Sequence, residues 1–186
     1  MTDEIFRKID SHDWTAAVFG LGYVGLPLVV TMARAGIDAW GFDVNPAVTA
    51  ALSEGHSHID DVSDDDLKAV AARTTFTSDV SAVAACDVLF ICVPTPLSMG
   101  KQPDVSYVQA AARTIAGILR PGHVVILEST TYPGTTEDLL RGIFDETGLK
   151  LDEDYLLAYS PERVDPANAS FGTSNIPRVV GGASQR

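Results

Sequence analysis

The stretch Val18-Phe19-Gly20-Leu21-Gly22-Tyr23-Val24-Gly25-Leu26-Pro27 leaves a chain few ways to fold. Thr15 to Phe19 reads as a short buried strand. Three glycines then turn the chain into an apolar helix that runs to about Ala35 and stops at Gly36. Each glycine has its own expected task. Gly20 permits the tight turn, Gly22 lets the backbone approach an anion with no Cβ in the way, and Gly25 lets the helix lie close on the strand. The N–H groups of Tyr23 and Val24 sit at the helix start. There the helix dipole adds about 0.3–1 kcal/mol per bound negative charge. Pro27 falls in the first turn, where its missing N–H removes no helical bond.

A glycine turn alone is weak grounds for a ligand, but its surroundings are specific. A second strand, Ile37 to Phe42, ends in Asp43, roughly 18 residues after Gly25. A carboxylate at that offset accepts hydrogen bonds from the ribose hydroxyls of a dinucleotide. It would repel a 2′-phosphate, so the expected cofactor is NAD, not NADP. The candidate binding residues on this count are Gly20, Gly22, Tyr23, Val24, Gly25 and Asp43.

The 186 residues fit one domain with its own core, and 46% hydrophobic with 20% charged is ordinary for a soluble globular protein. A net charge of −12 argues against nucleic acid or an anionic membrane as partner. The same charge opposes NAD, but screening over about 8 Å lets the local helix terminus outweigh distant carboxylates. Met1 to Asp10 is too charged for a signal peptide, and the apolar run Ala16 to Met32 is too short and too broken to span a bilayer. Cys86 and Cys92, at either end of an expected strand, would stand roughly 20 Å apart, beyond disulfide reach. They fit a reducing, cytoplasmic setting, and Cys92 reads as packing.

Further along, strands and helices alternate. Asp3 to Ser11 is expected to form a peripheral amphipathic helix with Ile5, Phe6 and Ile9 on one side, within a peripheral segment 1–14. Asn45-Pro46 caps a helix to about Ser53, and Ser63 caps another reaching about Arg73. His56, His58, Asp60 and Asp61 lack zinc-like spacing and read as a polar loop, so no metal is expected. Asp87 to Val93 is an apolar strand running into Pro94-Thr95-Pro96. Asp104 caps a helix Val105 to Leu119, and His123 to Leu127 is a strand running into Glu128-Ser129-Thr130-Thr131-Tyr132-Pro133-Gly134. A helix follows from Thr135 to about Thr147, with Thr135 and Thr136 as its caps. Tyr155 to Tyr159 is the next strand, ending in Ser160-Pro161-Glu162, and Ile176 to Gly182 is a final edge strand. This alternation predicts an α/β fold: a doubly wound parallel sheet of Rossmann type with helices on both faces, as one domain over 1–186. Three successive strand ends, at Val93, Leu127 and Tyr159, carry ligand-type loops on the edge where open α/β sheets bind.

Several stretches together resemble the N-terminal domain of the UDP-glucose/GDP-mannose dehydrogenase family. They are Gly20-Leu21-Gly22-Tyr23-Val24-Gly25-Leu26-Pro27, Gly41-Phe42-Asp43-Val44-Asn45, Cys92-Val93-Pro94-Thr95-Pro96, Ser129-Thr130 with Pro133-Gly134-Thr135-Thr136, and Ser160-Pro161-Glu162. Glu128 to Gly134 and Ser160 to Pro166 are most similar to the branch that oxidises UDP-N-acetylglucosamine at C6. The resemblance implies NAD-dependent oxidation of a sugar C6 alcohol to a carboxylate through an aldehyde, as in polysaccharide biosynthesis. It places Pro94, Thr95 and Thr130 against the cofactor and gives Thr130 and Glu162 the chemistry. Thr130 would orient water or stabilise an oxyanion, and Glu162 would assist proton transfer. Some relatives carry a second Glu shortly after; Asp165-Pro166 stands there in this chain, so a two-carboxylate mechanism is not carried over. Family enzymes continue into a dimerising helix and a second domain that binds the nucleotide sugar and supplies the nucleophilic cysteine. The chain alone is therefore expected to be inactive, and its full-length parent a homo-oligomer. The alternatives are a UDP-N-acetylmannosamine or UDP-glucose dehydrogenase, or a stand-alone, non-catalytic NAD-binding module. A hydroxyacid-type dehydrogenase would share the glycine turn but not the later loops.

Overall fold

A strand with almost nothing polar on either face belongs at the centre of a parallel sheet, and β1 (Thr15–Phe19) buries every residue after Thr15. Beside it lie β2 (Asp38–Phe42) and β4 (Val88–Ile91), both parallel to it. The computed structural model describes residues 2–97, 103–161 and 177–184. Outward from β2 comes β3 (Thr74–Thr77); outward from β4 come β5 (Val124–Leu127), β6 (Leu156–Tyr159) and β7 (Gly181–Gly182). Only β7 runs antiparallel, pairing Tyr159 with Gly181 and Ala158 with Gly182. The chain thus steps from β1 out to β3, then crosses back over β1 to reach β4. The carboxyl ends of β1 and β4 flank the point where the winding reverses, which is where such sheets open a crevice.

Helices cover both faces because β1 alternates. Ala16 and Val18 pack under α2 (Gly25–Arg34), α3 (Pro46–Ser53) and α4 (Asp64–Val70). Ala17 and Phe19 pack on the other face, under α5 (Ser106–Ala116) and α6 (Arg141–Asp145). On α5 the fully buried residues Val108, Ala112 and Ile115 stand at the three- and four-residue spacing of one helical face. Burying Val108 and Ile115 contributes about 1.5–3 kcal/mol each. Asn45 Oδ1 accepts the Ala47 N–H, capping α3. Ser63 and Asp66 close a reciprocal capping box on α4. Among the described residues no helix is long and apolar enough to cross a membrane.

Four elements differ from the sequence reading. The N-terminal helix α1 (Thr2–Asp10) buries Ile5 but leaves Phe6 and Ile9 more than a third exposed. Its anchor is polar: Lys8 Nζ meets Asp87 Oδ1 at 2.7 Å. Asp87, expected to begin β4, spends its other carboxylate oxygen on the Thr15 amide (3.0 Å) instead. The expected helix from Thr135 begins as a wide π-helical stretch, Thr135–Leu140, before α6. Gly134, at φ +93°, turns the chain into it, and the Thr135 hydroxyl is tied to Tyr132 O (2.9 Å) and Thr131 Oγ1 (2.6 Å). The edge strand is two residues long among the described residues, not the seven of Ile176 to Gly182. The other boundaries move by a few residues, as where helix ends fray into 3₁₀ turns at Ala71–Arg73.

Candidate functional site

Two of the three glycines after β1, Gly20 and Gly25, take the tasks that the spacing predicts. Gly20 takes φ +97°, and a Cβ there would stand 2.8 Å from Cys92 O. Gly25, the first residue of α2, lies against the turn so closely that a Cβ would fall 1.9 Å from Gly20 O. Gly22 is different. A Cβ on it would meet nothing within 4 Å, and its φ is not positive. Nothing inside the protein demands glycine there, so the missing side chain leaves room in front of the α2 terminus for something else.

That terminus is bare. Val24 is its N-cap, with no side-chain cap and no acidic residue in the first turn. The N–H groups of Gly22, Tyr23 and Val24 make no hydrogen bond among the described residues, and Gly22 and Tyr23 are exposed. Such amides, with the positive end of a ten-residue helix behind them, fit an anion such as a diphosphate. Beside the glycine turn, just after β2, half-buried Asp43 holds the turn itself. Its Oδ2 accepts the Leu21 N–H at 3.0 Å, and its Oδ1 accepts the Asn45 N–H at 2.9 Å. Each carboxylate oxygen has a second lone pair for a ribose hydroxyl.

The second half of the crevice lies over β4 and β5. Beyond β4, Pro94 is exposed and Thr95 half-buried. Beyond β5, Ser129 is buried and its Oγ donates to Val93 O at 2.8 Å, stitching the two strand ends together. Thr130 follows it, exposed. The structure therefore brings Gly20, Gly22, Tyr23, Val24, Gly25 and Asp43 together at one end of the edge. Pro94, Thr95 and Thr130 stand on the neighbouring strand ends. Glu162 lies outside the described residues. Past β6, a groove of about 380 Å³ opens between Tyr132, Gly134, Tyr159 and Gly182. His56, far from this edge, bonds Asp64 through Nδ1 at 3.2 Å, so the histidine loop closes on its own helix start.

Sequence reasoning missed two groups here. Glu128, directly after β5, is 2% exposed and forms an ion pair with Arg178. Ser160, after β6, is buried with its Oγ unpartnered among the described residues. The available signal was a lone acid at the end of an apolar run, Val124 to Glu128. Its partner stands fifty residues away, where no local pattern points to it.

Both cysteines are buried. Burial pushes the Cys86 thiol up to about 11, with Asp87 adding to the rise while a Thr15 bond opposes it. A thiol so placed is no nucleophile at neutral pH.

Comparison with known proteins gives the family and the fold. The profile of the UDP-glucose/GDP-mannose dehydrogenase family, NAD binding domain, matches residues 14–186. The UDP-N-acetyl-D-glucosamine 6-dehydrogenase of Pseudomonas aeruginosa is 37% identical over 173 residues, 92% of this chain and 40% of that protein. The UDP-N-acetyl-D-mannosamine dehydrogenase of Pyrococcus horikoshii is 39% identical over 173 residues, 91% of this chain and 41% of that one. The solved structure of the Pyrococcus horikoshii UDP-D-ManNAc dehydrogenase superposes with a TM-score of 0.80 at 36% identity, over 92% of this chain and 41% of that structure. The chain thus spans about two fifths of the length of these relatives.

Proposed function

From the premise that this chain belongs to the UDP-glucose/GDP-mannose dehydrogenase family, whose NAD binding domain it matches, we propose that it holds NAD for the oxidation of a UDP-N-acetylhexosamine at C6. The Gly22, Tyr23 and Val24 amides hold the diphosphate, with Gly20 and Gly25 shaping the turn. Asp43 takes the adenosine ribose, and Pro94 and Thr95 line the floor beyond it. NAD, when bound, would supply the hydride acceptor, one NAD for the alcohol-to-aldehyde stage and a second for aldehyde to carboxylate. The Thr130 hydroxyl orients water or donates a hydrogen bond to the oxygen on which negative charge develops, and Glu162 assists proton transfer. One such donor at the right place contributes about 2.7–4 kcal/mol to the barrier.

The observation that carries the cofactor assignment is the space in front of Gly22, facing uncapped amides and lying opposite Asp43. The sugar is argued from Glu128 to Gly134 and Ser160 to Pro166, which resemble the UDP-N-acetylglucosamine branch. Relatives of similar identity are named for the glucosamine and the mannosamine sugars, so UDP-N-acetylglucosamine is the first choice and UDP-N-acetylmannosamine the second. The nucleotide sugar and the attacking thiol are assigned to a second domain outside residues 1–186, as neither buried cysteine serves. Assayed alone, the 186-residue chain should not turn over. A longer protein carrying this domain should oxidise UDP-N-acetylglucosamine in preference to UDP-N-acetylmannosamine, UDP-N-acetylgalactosamine and UDP-glucose. A preference for UDP-glucose would overturn the choice of sugar while leaving the cofactor site intact.

A further inference from the structure

We propose that Glu128 and Arg178 are positioning residues for the nicotinamide end of the crevice: their buried ion pair fixes the Ser129-Thr130 turn. This rests on the NAD reading above. Glu128 follows the last residue of β5 and is 2% exposed, and a carboxylate is that deeply buried only with a partner. Its partner comes from an unusual direction. β7 runs antiparallel with Gly181 opposite Tyr159, the last residue of β6, so residues 177–180 pass beyond the carboxyl end of β6. From that segment the Arg178 guanidinium reaches past β6 to Glu128 at the end of β5. It also lies within electrostatic range of Cys92 at the end of β4, and burial pulls its pKa below the usual value. One side chain thus joins the segment beyond β6 to the end of β5 on the binding edge.

The sheet does not need this tie. The ladders beyond β5 are completed by backbone alone, Glu128 N–H to Ile91 O at 2.8 Å and Ser160 N–H to Leu127 O at 2.9 Å. A buried ion pair is also a poor source of stability, since apolar replacement of both partners is commonly neutral or stabilising. What the pair does fix is local. Ser129 Oγ pins the turn from the β4 side through Val93 O, and the Glu128 carboxylate pins it from the β6 side. The turn between those two pins carries exposed Thr130. A dinucleotide with its adenosine at Asp43 and its diphosphate at α2 must lay its other half over β4 and β5, against this turn. The adenosine half, at β1 and β2, does not touch it.

The experiment uses the 186-residue chain and its variants E128Q, R178M, R178K and E128L/R178M. Each is titrated calorimetrically with ADP-ribose, and with NADH while following the emission of the reduced nicotinamide; thermal melts check folding. The E128L/R178M variant swaps the pair for apolar side chains and is expected to melt no lower than the parent. ADP-ribose affinity should stay within about 2-fold throughout, as expected for a site that far from the change. The enhancement of nicotinamide emission at saturation should fall by at least half in E128Q, R178M and E128L/R178M, and R178K should recover most of it. Parental emission in a folded E128L/R178M, or ADP-ribose affinity falling in step with the emission, would overturn the proposal. A parent chain that binds ADP-ribose without enhancing the emission would overturn it too, and would leave the adenosine site standing. Binding of neither ligand would sink the NAD reading itself.

Discussion

The Leu21 N–H donates to Asp43 Oδ2 at 3.0 Å, so the glycine turn after β1 and the acid at the end of β2 are one mechanical unit. Replacing Asp43 with Ala removes the acceptor of two backbone amides as well as the proposed ribose contact. D43A should lose about 1–3 kcal/mol of stability in urea unfolding and at least about 10-fold in NAD affinity by calorimetry. A variant that keeps parental NAD affinity would remove Asp43 from the site.

Gly22 and Gly25 should respond oppositely to alanine. In G25A the new Cβ meets Gly20 O at 1.9 Å, and the backbone must move, at a cost of about 1–3 kcal/mol. In G22A the Cβ meets open space, so melting should shift little while NAD affinity falls. A G22A variant that binds NAD normally would mean that the space in front of it is not used.

Acidification should destabilise the fold through His123. This residue is fully buried and held neutral, its Nδ1 accepting the Arg120 N–H at 3.2 Å, and burial brings its pKa down to about 4 with help from Arg120. The unfolded chain binds that proton near pH 6.5, the folded chain only near 4. Stability is therefore full above about pH 6.5 and declines as pH falls toward 4, by about 3 kcal/mol for this group. Asp87 acts in the same direction at lower pH. Burial raises its pKa, but Lys8 and the Thr15 amide outweigh that and hold it below the usual carboxylate range. Melting temperatures of the parent and H123N from pH 4 to 8 check the first effect; the variant's curve should be flatter between 4 and 6.5.

Neither thiol should react in the native state. Cys86 and Cys92 are buried, and burial pushes Cys86 up to about 11. Reaction with an aromatic disulfide reagent should be slow in buffer and complete in denaturant. Fast labelling of the native chain would contradict the packing described here.

The first half of the site was legible because its signals are local. The strand, the glycine spacing and the following acid lie within thirty residues, and Gly25 meets Gly20 O and Val18 of that same unit. The sheet was legible for the same reason: β1, β4 and β5 are apolar runs between turn residues. The second half depends on partners far apart in sequence. Ser129 gains its role only when Val93 lies beside it, and Glu128 only when the chain returns with Arg178. Nor does periodicity distinguish a π-helical start from an ordinary one, because Thr135–Leu140 is set by Gly134 and by the hydroxyl contacts of Thr135. For α1, an apolar stripe predicted the helix but not its anchor, the ion pair of Lys8 with Asp87.

The central claim is that this edge of the sheet holds NAD across the start of α2. The most direct measurement is a crystal structure of the chain soaked in NAD. Density should place the diphosphate against the Gly22, Tyr23 and Val24 amides and the adenosine ribose on Asp43. Diphosphate density anywhere else, or a ribose away from Asp43, would contradict it.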